Sequence, residues 1–448
     1  MTLHITDTLT KKKSPVRQGD QKNIQLYVCG ITPYDYAHLG HGRCYVTFDV
    51  LYRFLSFLGY QVTYCRNFTD IDDKLLDRAQ KELGDRYQYH EIATRYINAY
   101  HEDIARLNCQ APAYEPRVTD HIPEIITFIE GLIEKGHAYA VGADVYYSVA
   151  SFPGYGALSK RALEDLQVGA RVERNEIKRD PLDFALWKGE ASGGFWESPW
   201  GNGRPGWHIE CSALALRYLS AHIDIHGGGM DLIFPHHENE RAQSEGLNGA
   251  PFVKIWMHNA FVRINQEKMS KSLGNFFTLR QLFETVDPMV LRYYFLCHNY
   301  TAPLDFALDD ITSARKAYQR ICRALVHYTE SEVDQLSVSQ IQESAIVAQC
   351  MAFLLDDLNG SGMMGVIFDN LKIIQERHEE GVRVKAFLQQ VLGLTLVPLA
   401  DEVIEITPEI QQLIDERIQA RAQKNWARAD ELRDRLIALG VVVHDDKL

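Results

Sequence analysis

The segment Asn23-Ile-Gln-Leu-Tyr-Val-Cys-Gly30 decides the fold class, because its nearly continuous apolar run predicts a buried strand. A helix is predicted over residues 44–58, closed by Gly59, and a second strand over residues 61–65. Strand, helix and strand in this order open the α/β sheets that bind nucleotides. We therefore expect a parallel sheet whose ligands gather at the strand ends, beside Gly30 and Asn67.

Along the rest of the chain the residue pattern, and with it the predicted secondary structure, changes several times. Further strands are predicted over residues 221–226 and 252–257, each leading into a polar loop. From about Pro112 the pattern becomes irregular, and residues 152–206 are crowded with Gly, Pro, Trp and charged residues, which predicts an insertion with few regular elements. After Asp310 the pattern is helical through Leu396.

The last stretch predicts a small separate region. Residues 410–440 give two helical segments that meet near Asn425, followed by a short strand over residues 441–443.

The composition is that of a multidomain globular protein. The chain has 448 residues, of which 46% are hydrophobic and 24% charged, and its start lacks the basic and apolar parts of a secretory signal. The eight cysteines are spread without paired spacing, so we expect reduced thiols and a cytoplasmic location. A net charge of −13 argues against nonspecific DNA binding but still allows a local basic face for nucleic acid.

Two short motifs offer phosphate chemistry. His38-Leu-Gly40-His41 follows the first strand, where a glycine permits close approach to a phosphate and histidines offer N–H donors near a helix N-terminus. Much later, Lys268-Met-Ser-Lys271-Ser272 places two ammonium groups in a polar loop. Taken alone, HLGH is a weak signal and is better explained as two polar turn histidines, and a solvated basic turn is the alternative for the two lysines.

Together and in this order, the two motifs resemble the signature motifs of class I aminoacyl-tRNA synthetases. The resemblance narrows to the cysteinyl-tRNA synthetase family through further stretches that span most of the chain. These stretches are Phe68-Thr-Asp-Ile-Asp-Asp-Lys74, Asp183-Phe-Ala-Leu-Trp-Lys188, Gly203-Arg-Pro-Gly-Trp-His-Ile-Glu-Cys-Ser212 and His226-Gly-Gly-Gly-Met-Asp-Leu-Ile-Phe-Pro-His-His-Glu-Asn-Glu240.

The resemblance implies one zinc ion held by Cys29, Cys211, His236 and Glu240. Zinc suits cysteine recognition, because a thiol ionises to a good zinc ligand far more readily than the hydroxyl of serine does. The four-residue spacing of His236 and Glu240 agrees with a shared helical face, although spacing alone would allow His237 or Glu238 equally. Four protein ligands usually mark a closed structural zinc, so use of this ion in recognition requires a further or exchanged ligand.

The resemblance also implies binding sites for ATP and L-cysteine, with Mg²⁺ accompanying the ATP. His38, His41, Lys268 and Lys271 would donate to the phosphates, and Gly40 would allow their close approach. Residues Gly227, Gly228 and Gly229 would let adenosine pass the backbone, with Asp231 reading a ribose hydroxyl. For cysteine, Trp207 would form one wall of the pocket for the side chain. Thr69 and Asp231 are candidates for contacts with the amino and carboxylate ends. A tight turn, a core tryptophan and capping residues are the structural alternatives.

The implied reaction makes cysteinyl-adenylate and transfers cysteine to the 3′ end of tRNA(Cys), at the 2′-OH first. The implied fold is a Rossmann-type parallel-sheet catalytic domain over residues 1–310, containing an inserted segment at about 112–204 and a stem-contact region at about 260–310. A helical bundle over 311–400 and a small C-terminal anticodon-binding domain over 401–448 follow. We expect a monomer, with Arg417, Arg421 and Lys424 on one helical face toward tRNA, unless that face is merely solvated.

Two other functions fit part of this pattern. An ATP-dependent cysteine ligase acting on a small amine would share the signature motifs, but it has no evident need for the helical part after Asp310. A noncatalytic zinc-binding or tRNA-binding paralogue is disfavoured by the intact HLGH and KMSKS sequences.

Overall fold

The computed structural model describes residues 2–17, 21–161, 178–190, 193–264, 267–268, 276–400 and 408–438. The chain divides into two compact units, Met1–Val397 and Pro398–Leu448. The second unit begins within three residues of the expected boundary at 401. The helices after residue 310 belong to the first unit, so they pack together with the sheet domain that precedes them.

A four-stranded parallel sheet forms the centre of the first unit. In spatial order its strands are Val253–Asn259, Ile223–Gly229, Asn23–Val28 and Gln61–Arg66, and all neighbours run parallel. This confirms the predicted Rossmann-type sheet. The two middle strands lie far apart in sequence, and the crevice beyond their carboxyl ends is the usual ligand position in such sheets.

The helix after the first strand is longer than predicted. It runs over Leu39–Phe57 and is buried nearly all round, and Gly59 follows it at φ +84°. Its start lies five residues before the predicted Cys44, because His38 caps the first turn. Histidine is not among the residues that usually signal a helix N-cap, so the sequence did not indicate this start.

The inserted segment is more regular than predicted. After the helix Ile122–Glu134, a four-stranded antiparallel sheet is formed by Ala138–Val141, Asp144–Tyr147, Phe184–Gly189 and Gly203–Pro205. The helix and two of these strands precede residue 152, and the described part of residues 152–206 adds the strands Phe184–Gly189 and Gly203–Pro205. The glycine-rich composition is explained partly by crowding, since a Cβ on Gly203 would lie 2.3 Å from the Lys188 carbonyl oxygen.

Smaller elements complete the first unit. His4–Asp7 pairs with Lys12–Pro15, and a further sheet has the order Glu267–Lys268, Val262–Ile264, Leu304–Phe306. The other helices of at least four residues are Asp73–Leu83, Tyr89–Arg106, Val118–His121, Trp207–Tyr218, Ile233–His237, Glu238–Asn248, Leu279–Leu282, Pro288–Leu296, Leu308–Leu325, Glu330–Asp334, Val338–Gln342, Ala345–Leu355, Gly360–Asp369, Leu371–Glu376 and His378–Leu392. No described helix combines the length and the apolar character needed to cross a membrane.

The second unit contains a helical hairpin. Helices Pro408–Ala422 and Trp426–Ala438 pack through a small apolar core that includes Leu413, Leu432 and Leu436. This confirms two helical segments meeting near Asn425, whereas the strand predicted over 441–443 lies outside the described residues.

The sequence predicts that Arg417, Arg421 and Lys424 share one exposed helical face. In the structure they do not. Arg417 is buried, with 4% of its surface exposed, and Arg421 is partly buried. Lys424 lies beyond the end of the first helix, in the turn, at φ +58°. The face of the first helix that carries Arg417 packs toward the apolar core. A contact of Arg417, Arg421 and Lys424 with tRNA stays a prediction.

Arg43, on the helix Leu39–Phe57, joins three parts of the first unit. Its guanidinium donates to the carbonyl oxygens of Ala260 at 3.0 Å, Phe261 at 3.2 Å, Asn299 at 2.8 Å and Ala302 at 2.7 Å. The side chain is 99% buried, and burial lowers the pKa of Arg43 to about 10, so it stays charged at neutral pH. The planar fork of arginine suits such a set of acceptors better than a lysine does.

Replacing Arg43 by Met should destabilise the chain, because four carbonyl oxygens each lose one hydrogen-bond donor. At about 1 kcal/mol per hydrogen bond the loss is roughly 3–4 kcal/mol, which corresponds to about 3–5 °C in Tm for a unit of this size. Differential scanning calorimetry of the full chain measures it. The matched control is Arg263→Met, whose side chain is exposed, and an equal Tm for the two variants would contradict the role given to Arg43.

Candidate metal and nucleotide site

A cleft of about 380 Å³ opens at the carboxyl ends of the central strands. It brings together most of the residues expected from the sequence. Those that line it are Cys29, His38, Gly40, His41, Thr69, Trp207, Cys211, Gly229, Asp231 and His236. Glu240 lies behind them and contacts Cys29 and His236.

Two of the three expected glycines have a packing role. A Cβ on Gly227 would lie 2.3 Å from a ring carbon of Phe48, and one on Gly228 would lie 2.7 Å from Leu232. Gly229 alone of the three lines the cleft, where a Cβ would meet the Asp231 carboxylate. Both residues lie within the strand Ile223–Gly229, so close packing and not a tight turn explains Gly227 and Gly228. Adenosine contact stays a prediction for this stretch, of which Gly229 lines the cleft.

His38 and His41 cap the helix reciprocally. The His41 backbone N–H donates to Nδ1 of His38 at 3.2 Å, and the His38 backbone N–H donates to Nδ1 of His41 at 3.3 Å. The rings stack with centroids 3.6 Å apart. Because a neutral imidazole holds one proton, two accepting Nδ1 atoms place that proton on Nε2 of each ring. The pair thus presents two N–H donors at a helix N-terminus, an arrangement that suits a phosphate.

The described residues after the second signature motif lie against this cap. The Leu39 backbone N–H donates to the Phe277 carbonyl at 3.1 Å, and the Leu279 N–H donates to the Ala37 carbonyl at 2.8 Å. Phe276 lines the cleft with its ring edge-on to His38. Lys271 lies outside the described residues, and for Lys268 the structure describes only the backbone, which pairs with Arg263.

The four expected metal ligands form a compact buried group. The sulfurs of Cys29 and Cys211 are 3.7 Å apart, Cys29 Sγ is 3.5 Å from Glu240 Oε1, and His236 Nε2 is 3.0 Å from that same oxygen. Around a tetrahedral zinc with ordinary bond lengths, these edges would be about 3.8, about 3.5 and about 3.3 Å. The donor set therefore fits a zinc ion in both chemistry and spacing.

A second group of four overlaps the first. Cys29 and Glu240 also lie within metal-ligand spacing of His226 and His237. Here His226 Nε2 is 2.8 Å from Glu240 Oε2, a hydrogen-bond distance, and His237 Nε2 is 3.8 Å from Glu240 Oε1. These edges depart further from a zinc tetrahedron than those of the first group do. We therefore favour the first group as ligands and regard His226 and His237 as residues that orient them.

A chain of hydrogen bonds supports the ligands from behind. His237 Nδ1 is 2.7 Å from His258 Nε2, and His258 Nδ1 is 2.7 Å from the Thr8 hydroxyl. Burial lowers the pKa of His258 to about 3 and that of His237 well below its usual value, so both rings are neutral. No local sequence signal gave His226 or His258 a role in the site, although each lies near the carboxyl end of a predicted strand, the edge at which ligands gather.

Charges inside the group compensate one another. Burial alone would raise the pKa of Cys211, but the thiol of Cys29 and the imidazole of His236 lower it to about 6. The thiol of Cys29 itself has its pKa raised by burial and by its Cys211 neighbour. Burial opposes the charge of His236, yet Glu240 raises its pKa to about 10.

Thr69 and Trp207 flank this group in the cleft. The Trp207 ring stacks on His236, with centroids 4.4 Å apart. The Thr69 hydroxyl donates to Glu210 at 2.9 Å and accepts from Asn67 Nδ2 at 3.3 Å. Burial raises the pKa of Glu210 well above its usual value. The sequence analysis placed Asn67 at a ligand-binding edge but gave no role to Glu210.

Comparisons with known proteins agree with this architecture. The profile described as tRNA synthetases class I (C) catalytic domain matches residues 15–316, and that described as cysteinyl-tRNA ligase anticodon binding domain matches residues 405–448. Methionyl-tRNA synthetase of Mycobacterium tuberculosis with methionyl-adenylate superposes with a TM-score of 0.59 at 14% identity, over 84% of this chain and 92% of that one. The fold is therefore that of class I aminoacyl-tRNA synthetases.

Curated relatives narrow the assignment. The cysteine–tRNA ligase of Trichlorobacter lovleyi is 45% identical to this chain, and the match covers 99% of this chain and 98% of that protein. Those of Anoxybacillus flavithermus and Pseudomonas aeruginosa are 45% and 44% identical, again over 99% of this chain and 98% of each relative. The chain belongs to the cysteine–tRNA ligase family.

The two overlapping groups make different predictions for zinc affinity. If Cys211 is a ligand and His226 only orients one, His226→Gln should weaken zinc binding about 10–100-fold and Cys211→Ser considerably more. Competition with a chromophoric chelator measures both affinities, on variants checked by circular dichroism. A Cys211→Ser variant that kept zinc better than His226→Gln would favour the second group.

Proposed function

We propose that this chain activates L-cysteine with ATP to cysteinyl-adenylate and transfers cysteine to the 3′ end of tRNA(Cys). The observation that carries the proposal is the shared cleft, in which Cys29, Cys211 and His236 lie on the same side of the sheet as the His38–His41 cap. One cleft thus offers groups for a thiol and groups for a phosphate. The cysteine–tRNA ligase relatives support this substrate pair.

The cysteine carboxylate would attack the α-phosphorus of ATP, with pyrophosphate as the leaving group and Mg²⁺ on the phosphates. Negative charge grows on the phosphate oxygens in the transition state, so positioned donors are the main contribution of the protein. His38 and His41 offer their Nε2–H groups from a helix N-terminus. Lys271 is proposed as a further donor, since it lies five residues before Phe276, a span of about 17 Å at most.

The thiol end of the substrate would meet the group Cys29, Cys211, His236 and Glu240. A zinc ion held there would bind a thiolate far better than a hydroxyl, which would supply a preference for cysteine over serine. The protein residues orient this end: Trp207 stacks on His236 and borders the space beside it. Thr69 and Asp231, which also line the cleft, remain proposed partners of the amino-acid end of the substrate, where the Asp231 carboxylate, which only accepts hydrogen bonds, suits the ammonium group.

The acceptor is proposed to be tRNA because of the second unit. Its match to an anticodon-binding profile favours a large RNA acceptor over the small amine of the alternative ligase. A location in the cytoplasm and a monomeric state also stay predictions.

The preference for cysteine tests the proposed function. Wild-type protein should hold one zinc per chain, charge tRNA(Cys), and catalyse cysteine-dependent ATP–pyrophosphate exchange with little response to serine. Cys211→Ser should lose zinc and lower the cysteine kcat/KM by about 100-fold or more, because a thiolate ligand is removed. The serine rate should change far less. Cys350→Ser is the matched control, since Cys350 is buried among the helices that follow residue 310. A Cys211→Ser variant without zinc that still discriminated as strongly would contradict the proposed role of the metal.

A truncated chain tests the role given to the second unit. A protein ending at Val397 keeps the first unit whole, whereas a cut near Asp310 would remove helices that pack within it. The Val397 chain should retain exchange activity and lose at least about tenfold in kcat/KM for charging tRNA(Cys). Equal charging by the truncated and full chains would show that the second unit does not serve tRNA recognition.

A further inference from the structure

The side chain of Asn259 carries a buried oxygen that lacks a hydrogen-bond partner. Of the buried side-chain polar atoms without such a partner among the described residues, only Asn259 Oδ1 belongs to a residue that lines the cleft. Asn259 ends the strand Val253–Asn259, and its exposed fraction is 3%. A buried acceptor without a donor is costly to keep, and a donor that enters with a ligand would remove this cost.

Two hydrogen bonds fix the orientation of the Asn259 amide. Thr47 Oγ1 lies 3.0 Å from the Arg43 carbonyl oxygen, which can only accept, so the threonine hydroxyl gives its one proton there. On its other side Thr47 Oγ1 can then only accept, so the Asn259 atom that lies 2.8 Å from it is the donor Nδ2. Oδ1 is therefore the end of the amide that is left for a ligand in the cleft.

The cleft offers little other hydrogen bonding beside Asn259. Ala260, the next residue in the chain, lines the cleft, and so does Cys44, one helical turn before Thr47. Burial raises the pKa of the Cys44 thiol, which therefore stays uncharged at neutral pH. Gly229, which is aligned with Asn259 in the neighbouring strand, contributes backbone without a side chain. The Asn259 oxygen is thus an isolated acceptor on a weakly polar wall.

An isolated acceptor on such a wall suits a flat base whose edge presents one donor. Adenine presents one in its 6-amino group. Guanine has a carbonyl oxygen at the same position, so two acceptors would face each other and the buried oxygen of Asn259 would stay unpaired. A ribose would bring two hydroxyl groups to a wall that has a partner for one.

We propose that Asn259 is a specificity-determining residue for the base of the nucleotide, and that its Oδ1 accepts a hydrogen bond from the 6-amino group of adenine. The inference rests on the proposed function and deepens it, because it requires ATP in this cleft. Thr47 is a positioning residue for this contact, since it holds the Nδ2 end of the amide. The base would then be selected by a side chain at the end of a strand of the central sheet.

Purine riboside 5′-triphosphate isolates this contact, because it differs from ATP only in lacking the 6-amino group. Cysteine-dependent pyrophosphate exchange by the full, zinc-loaded chain gives kcat/KM for each nucleotide. Wild-type protein should prefer ATP about tenfold, an ordinary effect for one buried hydrogen bond. Asn259→Ala should lower kcat/KM for ATP about tenfold and change that for purine riboside triphosphate less than about twofold, which removes the preference.

Two further variants control this measurement. Asn370→Ala is the matched control, because Asn370 Nδ2 also donates at 2.8 Å to a protein acceptor, the Val366 carbonyl, and Asn370 does not line the cleft. It should change kcat/KM for either nucleotide less than about twofold. Thr47→Val should lower kcat/KM for ATP alone, and by less than Asn259→Ala does, because Oδ1 is kept but no longer held.

Deoxynucleotides separate the base from the ribose. Asn259→Ala should lower kcat/KM for 2′-deoxy-ATP and for 3′-deoxy-ATP by the same factor as for ATP, since both keep the 6-amino group. A loss for ATP that disappeared with either deoxynucleotide would assign Asn259 to the ribose and overturn the inference.

The other outcomes distinguish this inference from the proposed function. In Asn259→Ala, equal losses for ATP and purine riboside triphosphate, or no loss for ATP, would overturn the role of Asn259. A wild-type chain without cysteine-dependent exchange on ATP would instead overturn the proposed function. Circular dichroism and zinc content are measured on every variant. If Asn259→Ala does not fold, the wild-type preference for ATP and the Thr47→Val variant carry the same test, and equal rates on the two nucleotides in wild-type protein would overturn the inference.

Discussion

The pairing of strands Asn23–Val28 and Ile223–Gly229 is the constraint on which the site depends. It aligns Tyr27 with His226 and Val28 with Gly227, and the Cys29 backbone N–H continues the ladder to the Gly227 carbonyl at 3.1 Å. Because parallel strands end at the same edge, residues about 200 positions apart in sequence become neighbours. A register shift of one residue would turn Cys29 away from this edge, since side chains alternate between the two faces.

The price of this arrangement is a polar cluster inside an apolar core. Two thiols, a carboxylate and several imidazoles lie where burial is nearly complete, and they satisfy one another through short contacts. Burial raises the pKa of the Cys29 thiol, and Glu240 raises the pKa of His236 against the effect of burial, so both groups favour their protonated forms. A divalent cation would replace those protons, so the cluster suits a metal for the same reason that it would be costly as plain core.

How much the sequence predicted depended on whether a signal was local. The sheet strands and the two C-terminal helices followed from periodicity within single segments. The start at Leu39 could not be predicted, because it depends on a reciprocal histidine cap. Regular strands in the insertion were hidden by glycines needed for close backbone contact, as at Gly203. Spacing could not decide between His236 and His237, since both lie near Glu240, and only their distances to Glu240 Oε1, 3.0 Å against 3.8 Å, favour one.

The side chain of Asn67 connects two parts of the cleft, those of Cys211 and Thr69. Its Oδ1 accepts from the Gly30 backbone and lies 3.6 Å from Cys211 Sγ, while its Nδ2 donates to Thr69. The sides of the cleft that carry Cys211 and Thr69 are therefore joined by a single amide whose orientation a backbone N–H determines. In cysteine, sulfur and nitrogen are only three bonds apart, so a cleft that recognises both must hold its two sets of groups at a fixed separation. A rigid side chain anchored to the central sheet provides that separation without relying on a mobile loop.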